Sequence, residues 1–92
     1  MRAVKLRIEG LVQGVGYRYY AYRLAKRYGV KGYVMNMPDG SVEVVAEGEG
    51  KNLERFLEEV ARGPHSAVVT NVSVQEIPVV GYRSFEIEYH RR

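Results

Sequence analysis

No cysteine occurs among the 92 residues. That excludes a disulfide framework, a thiol nucleophile and a thiolate metal site, and it leaves the redox compartment unconstrained. No apolar run approaches the ~18 residues that a membrane-spanning helix needs, so no membrane partner is expected. The opening Met1-Arg2-Ala3-Val4-Lys5-Leu6-Arg7 alternates charged and apolar residues and lacks the continuous apolar stretch of a secretion signal. A cytoplasmic location is therefore expected, and the sequon Asn71-Val72-Ser73 carries little weight. Histidine is scarce: His65 and His90 have no carboxylate or second histidine at ligand spacing, so neither a metal nor a cofactor is expected and neither ring reads as catalytic. Ser41, Ser66, Ser73 and Ser84 fall in turns or strands with no adjacent base, which leaves no evident hydroxyl nucleophile. Glu58-Glu59 and the Glu86, Glu88 pair read as solvated helix and strand faces.

What is present is the composition of an ordinary globular protein, 46% hydrophobic and 27% charged, in a length that accommodates one domain over 1–92. Many tyrosines, few glutamines and no cysteine would suit a heat-adapted source. A net charge of +3 hides an asymmetry. Residues 1–31 hold eight Lys or Arg against Glu9 alone, a charge of +7, whereas residues 32–92 carry six bases and ten acids, a charge of −4. A field of the first sign draws a small anion toward the N-terminal third.

Hydrophobic periodicity divides the chain. Residues 3–11 alternate, with Val4, Leu6 and Ile8 on one side and Lys5, Arg7 and Glu9 on the other, as a strand with one buried face requires. From Tyr17 the period becomes helical through Ala21, Leu24, Ala25 and Tyr28, with Lys26 and Arg27 in the last turn and Gly29 as the stop. Residues 30–37 and 41–48 read as a hairpin around Pro38-Asp39-Gly40. Leu53, Phe56, Leu57, Val60 and Ala61 mark a second helix, ended by Gly63-Pro64, and 68–77 and 82–89 are two further strands, with Phe85, Ile87 and Tyr89 facing one way. Residues 78–82 read as a loop or an edge hairpin. The order predicts an α+β, ferredoxin-like α/β sandwich: the split βαβ arrangement (βαββαβ), an antiparallel sheet covered on one face by two helices. The other face is expected to stay partly polar, with Lys5, Arg7, Glu43 and Glu47 on it.

The segment Gly10-Leu11-Val12-Gln13-Gly14-Val15-Gly16-Tyr17-Arg18 closes the first strand, supplies two closely spaced glycines and delivers an arginine to the start of a helix. Gly14 and Gly16 can take conformations closed to other residues, so consecutive N–H groups can turn toward one point, joined by those of the helix start. A phosphate fits such a pocket. A cation in the first helical turn opposes the macrodipole, so Arg18 breaks a local rule, as residues at functional sites do. The loop lacks the Gly-Lys-Ser/Thr of a Walker motif, and Tyr19 stands where a dinucleotide fingerprint needs a third glycine. Lys31-Gly32-Tyr33-Val34 opens like an RNA-binding signature but continues wrongly, and on the second strand instead of the third. No nucleic-acid partner is expected, and Tyr33 reads as a packed or half-exposed strand residue.

That loop, followed by Gly32-Tyr33-Val34-Met35-Asn36 and Asp39-Gly40-Ser41-Val42-Glu43, closely resembles the acylphosphatase family over essentially the whole chain. These are small α/β-sandwich enzymes that hydrolyse carboxyl phosphates. Tyr17 departs from the family's commoner phenylalanine and adds a hydroxyl that needs a partner. The resemblance implies that Gln13, Gly14, Val15, Gly16, Tyr17 and Arg18 bind the phosphate of a small acyl phosphate, that Arg18 and Asn36 are catalytic, and that Asn36 positions the attacking water. It implies a metal-independent hydrolase acting as a monomer, with activity that depends little on any protein group titrating near neutrality.

Overall fold

The computed structural model describes residues 1–89. Seven elements follow one another: β1 (Arg2–Leu11), α1 (Tyr17–Tyr28), β2 (Lys31–Asn36), β3 (Val42–Gly48), α2 (Gly50–Arg62), β4 (Val68–Ile77) and β5 (Phe85–Glu88). The strands form one sheet in the order β4-β1-β3-β2-β5, with neighbours antiparallel except β2 and β5, which run parallel. The expected split βαβ order is present. The fifth strand makes the sheet mixed where an antiparallel one was expected. The cause is positional: β4 ends and β5 begins at the same end of the sheet but on opposite edges, so the returning chain has to run alongside β2 in its direction.

Period-two alternation decides which face each side chain occupies. Val4, Leu6 and Ile8 of β1, Val34 of β2, Val42, Val44 and Ala46 of β3 and Phe85 of β5 form the main core, with Tyr17, Ala21, Leu24 and Ala25 from α1 and Leu53, Phe56 and Val60 from α2. The opposite face carries a smaller cluster of Tyr33, Met35 and Val45, against which Met37, Ile77 and Tyr82 pack. Tyr33 is 6% exposed, its hydroxyl bonds to the Glu43 carboxylate and its ring meets Tyr82 edge-on. It is a packed residue with no open face for a base to stack on.

Residues 78–82, expected as a loop or an edge hairpin, are a loop, and it explains a departure on the sheet's far face. Glu47 was expected to be solvated there, yet it is 1% exposed. The 78–84 segment straps across the end of the sheet, and the main-chain N–H groups of Val80, Gly81 and Tyr82 donate to the Glu47 carboxylate. Burial pushes this carboxyl up, but the three donors together outweigh it and hold it below its ordinary 4.5. A lowered folded value means that the stabilisation is complete above pH 4.5 and is lost as pH falls through the folded value. Glu47→Gln should therefore cost about 1–3 kcal/mol at pH 7 and progressively less below pH 4.5. Urea denaturation at pH 7 and pH 3 checks this, and equal stability of the two proteins at pH 7 would contradict the strap's dependence on the charge.

Candidate active site

β1, β2 and β5 run in one direction, so their C-terminal ends lie together at one end of the sandwich, where α1 begins. In β2, Val34 lies on the helix-covered face and Asn36, two residues on, lies on the same face at the strand's end. In β5, Phe85 and Ile87 share that face, and Tyr89 follows in phase just beyond the strand. A cleft of about 230 Å³ opens there, between Gly14, Gly16, Arg18 and Tyr19 on one side and Asn36 and Tyr89 on the other. Tyr17, Val12 and Ile87 close its base.

The loop has the backbone that its glycines allow. Gly14 and Gly16 have φ of 75° and 79°, and a Cβ on either would meet nothing within 4 Å. Conformation, not crowding, demands glycine here. Gly16 is the N-cap of α1 and provides no side-chain cap, and no acid occupies the first turn. The first intrahelical bond is Tyr20 N–H to Gly16 O, 3.1 Å, so the N–H groups of Tyr17, Arg18 and Tyr19, residues that line the cleft, are left without a helical partner. Arg18 joins them with its guanidinium carbon 4.8 Å from the Tyr89 ring centroid. None of the ion pairs among the described residues involves Arg18. Positive charge is thus concentrated and uncompensated at this point.

Asn36 contributes the complementary feature. Its Oδ1 is buried and accepts no hydrogen bond from the described residues. Such an orphaned acceptor is uncommon and needs an explanation. The turn after it is tied from two sides. Gln13 Nε2 donates to Met37 O and Ser41 O, both at 2.8 Å, and the Asp39 carboxylate accepts from Ser41 N–H, Ser41 Oγ–H and Arg7. The Ser41 hydroxyl and N–H, with a lesser contribution from Arg7, hold the Asp39 carboxyl at about 2 against the opposing effect of desolvation.

Of the residues read from the sequence, Gly14, Gly16, Tyr17, Arg18 and Asn36 border the cleft, whereas the side chains of Gln13 and Val15 do not. Gln13 braces the 37–41 turn, and Val15 packs on the main core. Tyr17 is 2% exposed and points between the helices, where its hydroxyl donates to Val60 O. Pro64, four residues beyond Val60, has no N–H to offer that carbonyl, so the hydroxyl takes the vacant acceptor. Burial, reinforced by neighbouring Tyr20, pushes this hydroxyl's pKa well above its usual range. Tyr17→Phe should then cost about 1–2 kcal/mol of stability while leaving kcat within a factor of two. Paired denaturation and rate measurements check it, and a large loss of kcat would put the hydroxyl in the chemistry. Tyr19, Tyr89, Val12 and Ile87 were not foreseen in the cleft. Only the shared phase of Phe85, Ile87 and Tyr89 hinted at two of them, Ile87 and Tyr89.

Among the described residues no three His, Cys, Asp or Glu side chains are grouped to hold a metal ion, and no helix is long and apolar enough to cross a membrane. His90 lies outside the described residues. A family model for acylphosphatase matches residues 4–87. The acylphosphatase of Thermotoga petrophila is 61% identical over 90 residues, covering 98% of this chain and all of that protein. That of Archaeoglobus fulgidus is 45% identical over 89 residues, covering 97% of this chain and all of the relative. Both are thermophilic relatives, in keeping with the composition. The crystal structure of acylphosphatase from Bacillus subtilis superposes with a TM-score of 0.92 at 38% identity, covering 97% of this chain and all of the other. HypF from T. kodakarensis matches 99% of this chain with 12% of its own length, at a TM-score of 0.86 and 33% identity. The glycine loop, its arginine and the asparagine at the end of β2 thus lie in a chain that belongs to the acylphosphatase family of hydrolases.

Proposed function

We propose that the protein hydrolyses acyl phosphates, the mixed anhydrides of a carboxylic and a phosphoric acid, and that the cleft between α1 and the ends of β2 and β5 is where it does so. The observation that carries this reading is the meeting, in one small cleft, of unpaired main-chain N–H donors, an uncompensated arginine and a buried acceptor without a donor. The N–H groups of the 14–18 loop and the Arg18 fork hold the phosphate. The Asn36 amide accepts from the attacking water and fixes its line of approach. The water oxygen forms a bond to phosphorus as the bond from phosphorus to the acyl oxygen breaks, the carboxylate leaves, and inorganic phosphate is formed.

An acyl phosphate is already activated, so positioning and charge stabilisation suffice at a loose phosphoryl transition state. Asn36 has no basic group, so the water's proton passes to a phosphate oxygen of the substrate. The described residues lining the cleft include no histidine and no carboxylate to compete for that role. Incubation of the purified protein with acetyl phosphate in the presence of a chelator, following loss of substrate, tests the reading. Rapid loss that is unaffected by the chelator is expected. Tight retention of phosphate without turnover would support a non-catalytic anion-binding module instead.

A further inference from the structure

Beside the cleft, past the Tyr19 ring, a larger groove of about 460 Å³ runs along α1. Gly16 and Tyr19 border both spaces, so the two are separated by one exposed side chain. The cations of the groove are Arg23 and Arg27, both exposed and in none of the ion pairs among the described residues. The Arg23 guanidinium carbon is 5.9 Å from the Tyr19 ring centroid, on the shared wall. Glu59 also lines the groove, but the Tyr28 hydroxyl occupies its Oε2.

A solvated helix face accounts for Arg27, which in the last turn complements the helix dipole. It does not account for Arg23. Arg23 and Arg27 stand four residues apart, a like-charge spacing that opposes helix formation, and neither is in an ion pair with Glu59 or any other acid among the described residues. By contrast, Arg2, Lys5 and Arg7 in the same N-terminal third all have carboxylate partners. Of the cations in that third without an ion pair among the described residues, Arg18 borders the cleft and Arg23 and Arg27 the groove.

We propose that this groove is a second anion subsite, which takes a carboxylate or phosphate at the far end of the acyl group and makes Arg23 and Arg27 specificity-determining residues. It rests on the reading of the Arg18 cleft as the phosphate site. Six bonds separate the two phosphorus atoms of a three-carbon acyl phosphate with a terminal phosphate, as many as in two extended residues, a reach of about 7 Å. The helical rise from Arg18 to Arg23 is about 7.5 Å, and the five residues also turn Arg23 about 140° around α1, so the span exceeds the rise. The Tyr19 ring bridges that angle, since it borders both spaces and lies 5.9 Å from the Arg23 guanidinium carbon. An acyl chain passing over Tyr19 therefore carries its distal anion toward the long, exposed Arg23 side chain, whereas an acetyl group ends short of it. Binding energy at such a remote point is available to raise kcat/KM for the longer substrate alone.

The test compares the unaltered protein with the Arg23→Ala/Arg27→Ala double variant on acetyl phosphate, succinyl phosphate and 3-phosphoglyceroyl phosphate. Both positions are exposed and alanine favours helix, so the fold is retained. Loss of kcat/KM by about tenfold or more on the substrates with a second anion, and by less than twofold on acetyl phosphate, is the expected result. Whether succinyl or 3-phosphoglyceroyl phosphate loses more tells whether the subsite reads a carboxylate or a phosphate. Equal losses on all three would mean long-range attraction of anions, and no loss on any would mean a solvated face. Either overturns the subsite while turnover of acetyl phosphate keeps the parent reading. Failure of the unaltered protein to turn over any of the three overturns both.

Discussion

Arg18→Lys should lower kcat for acetyl phosphate at least a hundredfold while the protein remains folded. The charge is conserved in this variant, so the loss isolates geometry. Arginine presents a planar fork that engages two phosphate oxygens at once, whereas lysine offers a single rotating point of charge on a flexible stem. Removing one preorganised donor aimed at developing charge costs about 10² to 10³ in rate, and here both direction and number of donors are lost. The structure adds a reason why the fork is aimed: it lies against the Tyr89 ring, with no carboxylate among the described residues to draw it elsewhere. It also supplies the control. With no ion pair to break, the substitution should change stability by no more than about 0.5 kcal/mol, so thermal denaturation should match the parent's. Near-native turnover by the lysine variant would remove Arg18 from the chemistry.

Asn36→Ala should lower kcat by about 10² to 10³ with KM changed by no more than a few-fold. The phosphate-holding groups belong to a different segment, residues 14–18, so their affinity should survive. What disappears is the acceptor at Oδ1, which is buried and has no donor among the described residues. An unpaired buried acceptor is costly to maintain, and orienting a water during the reaction is a role that repays the cost. The strand position itself is held by the turn that Gln13 and Asp39 secure, so the backbone at residue 36 should not move. Steady-state kinetics decide the matter. A raised KM with unchanged kcat would make Asn36 a binding residue and leave the water unassigned.

Much of this was legible in one dimension. Two glycines spaced by one residue, followed by a helical period with an arginine in its first turn, describe an anion loop because glycine alone is at ease at φ near 75–79° and because helix starts leave N–H groups unpaired. Alternation in residues 3–11 assigned the faces of β1 correctly for the same short-range reason. Other features had no local signature. Glu47 looked like any other solvated strand carboxylate, since nothing near it in sequence announces three N–H donors more than thirty residues away. Gln13 belonged to the loop by position, but its side chain proved to be a brace on another turn. The Tyr17 hydroxyl found its partner only because Pro64, just beyond the end of α2, leaves the Val60 carbonyl unpaired.

The amino-acid order alone determined what is local: the loop's conformational demands, the two amphipathic helices, the alternation of the strands and the excess of positive charge near the N-terminus. These follow from steric limits and periodicities that act within a few residues. Only the tertiary structure decided that Arg18, Asn36 and Tyr89 would share one cleft and that Arg23 and Arg27 would line the groove next to it. That outcome depends on β1, β2 and β5 ending at the same place. Strand order and direction come from the packing of the whole chain, where contacts between distant residues decide and no single segment holds the information.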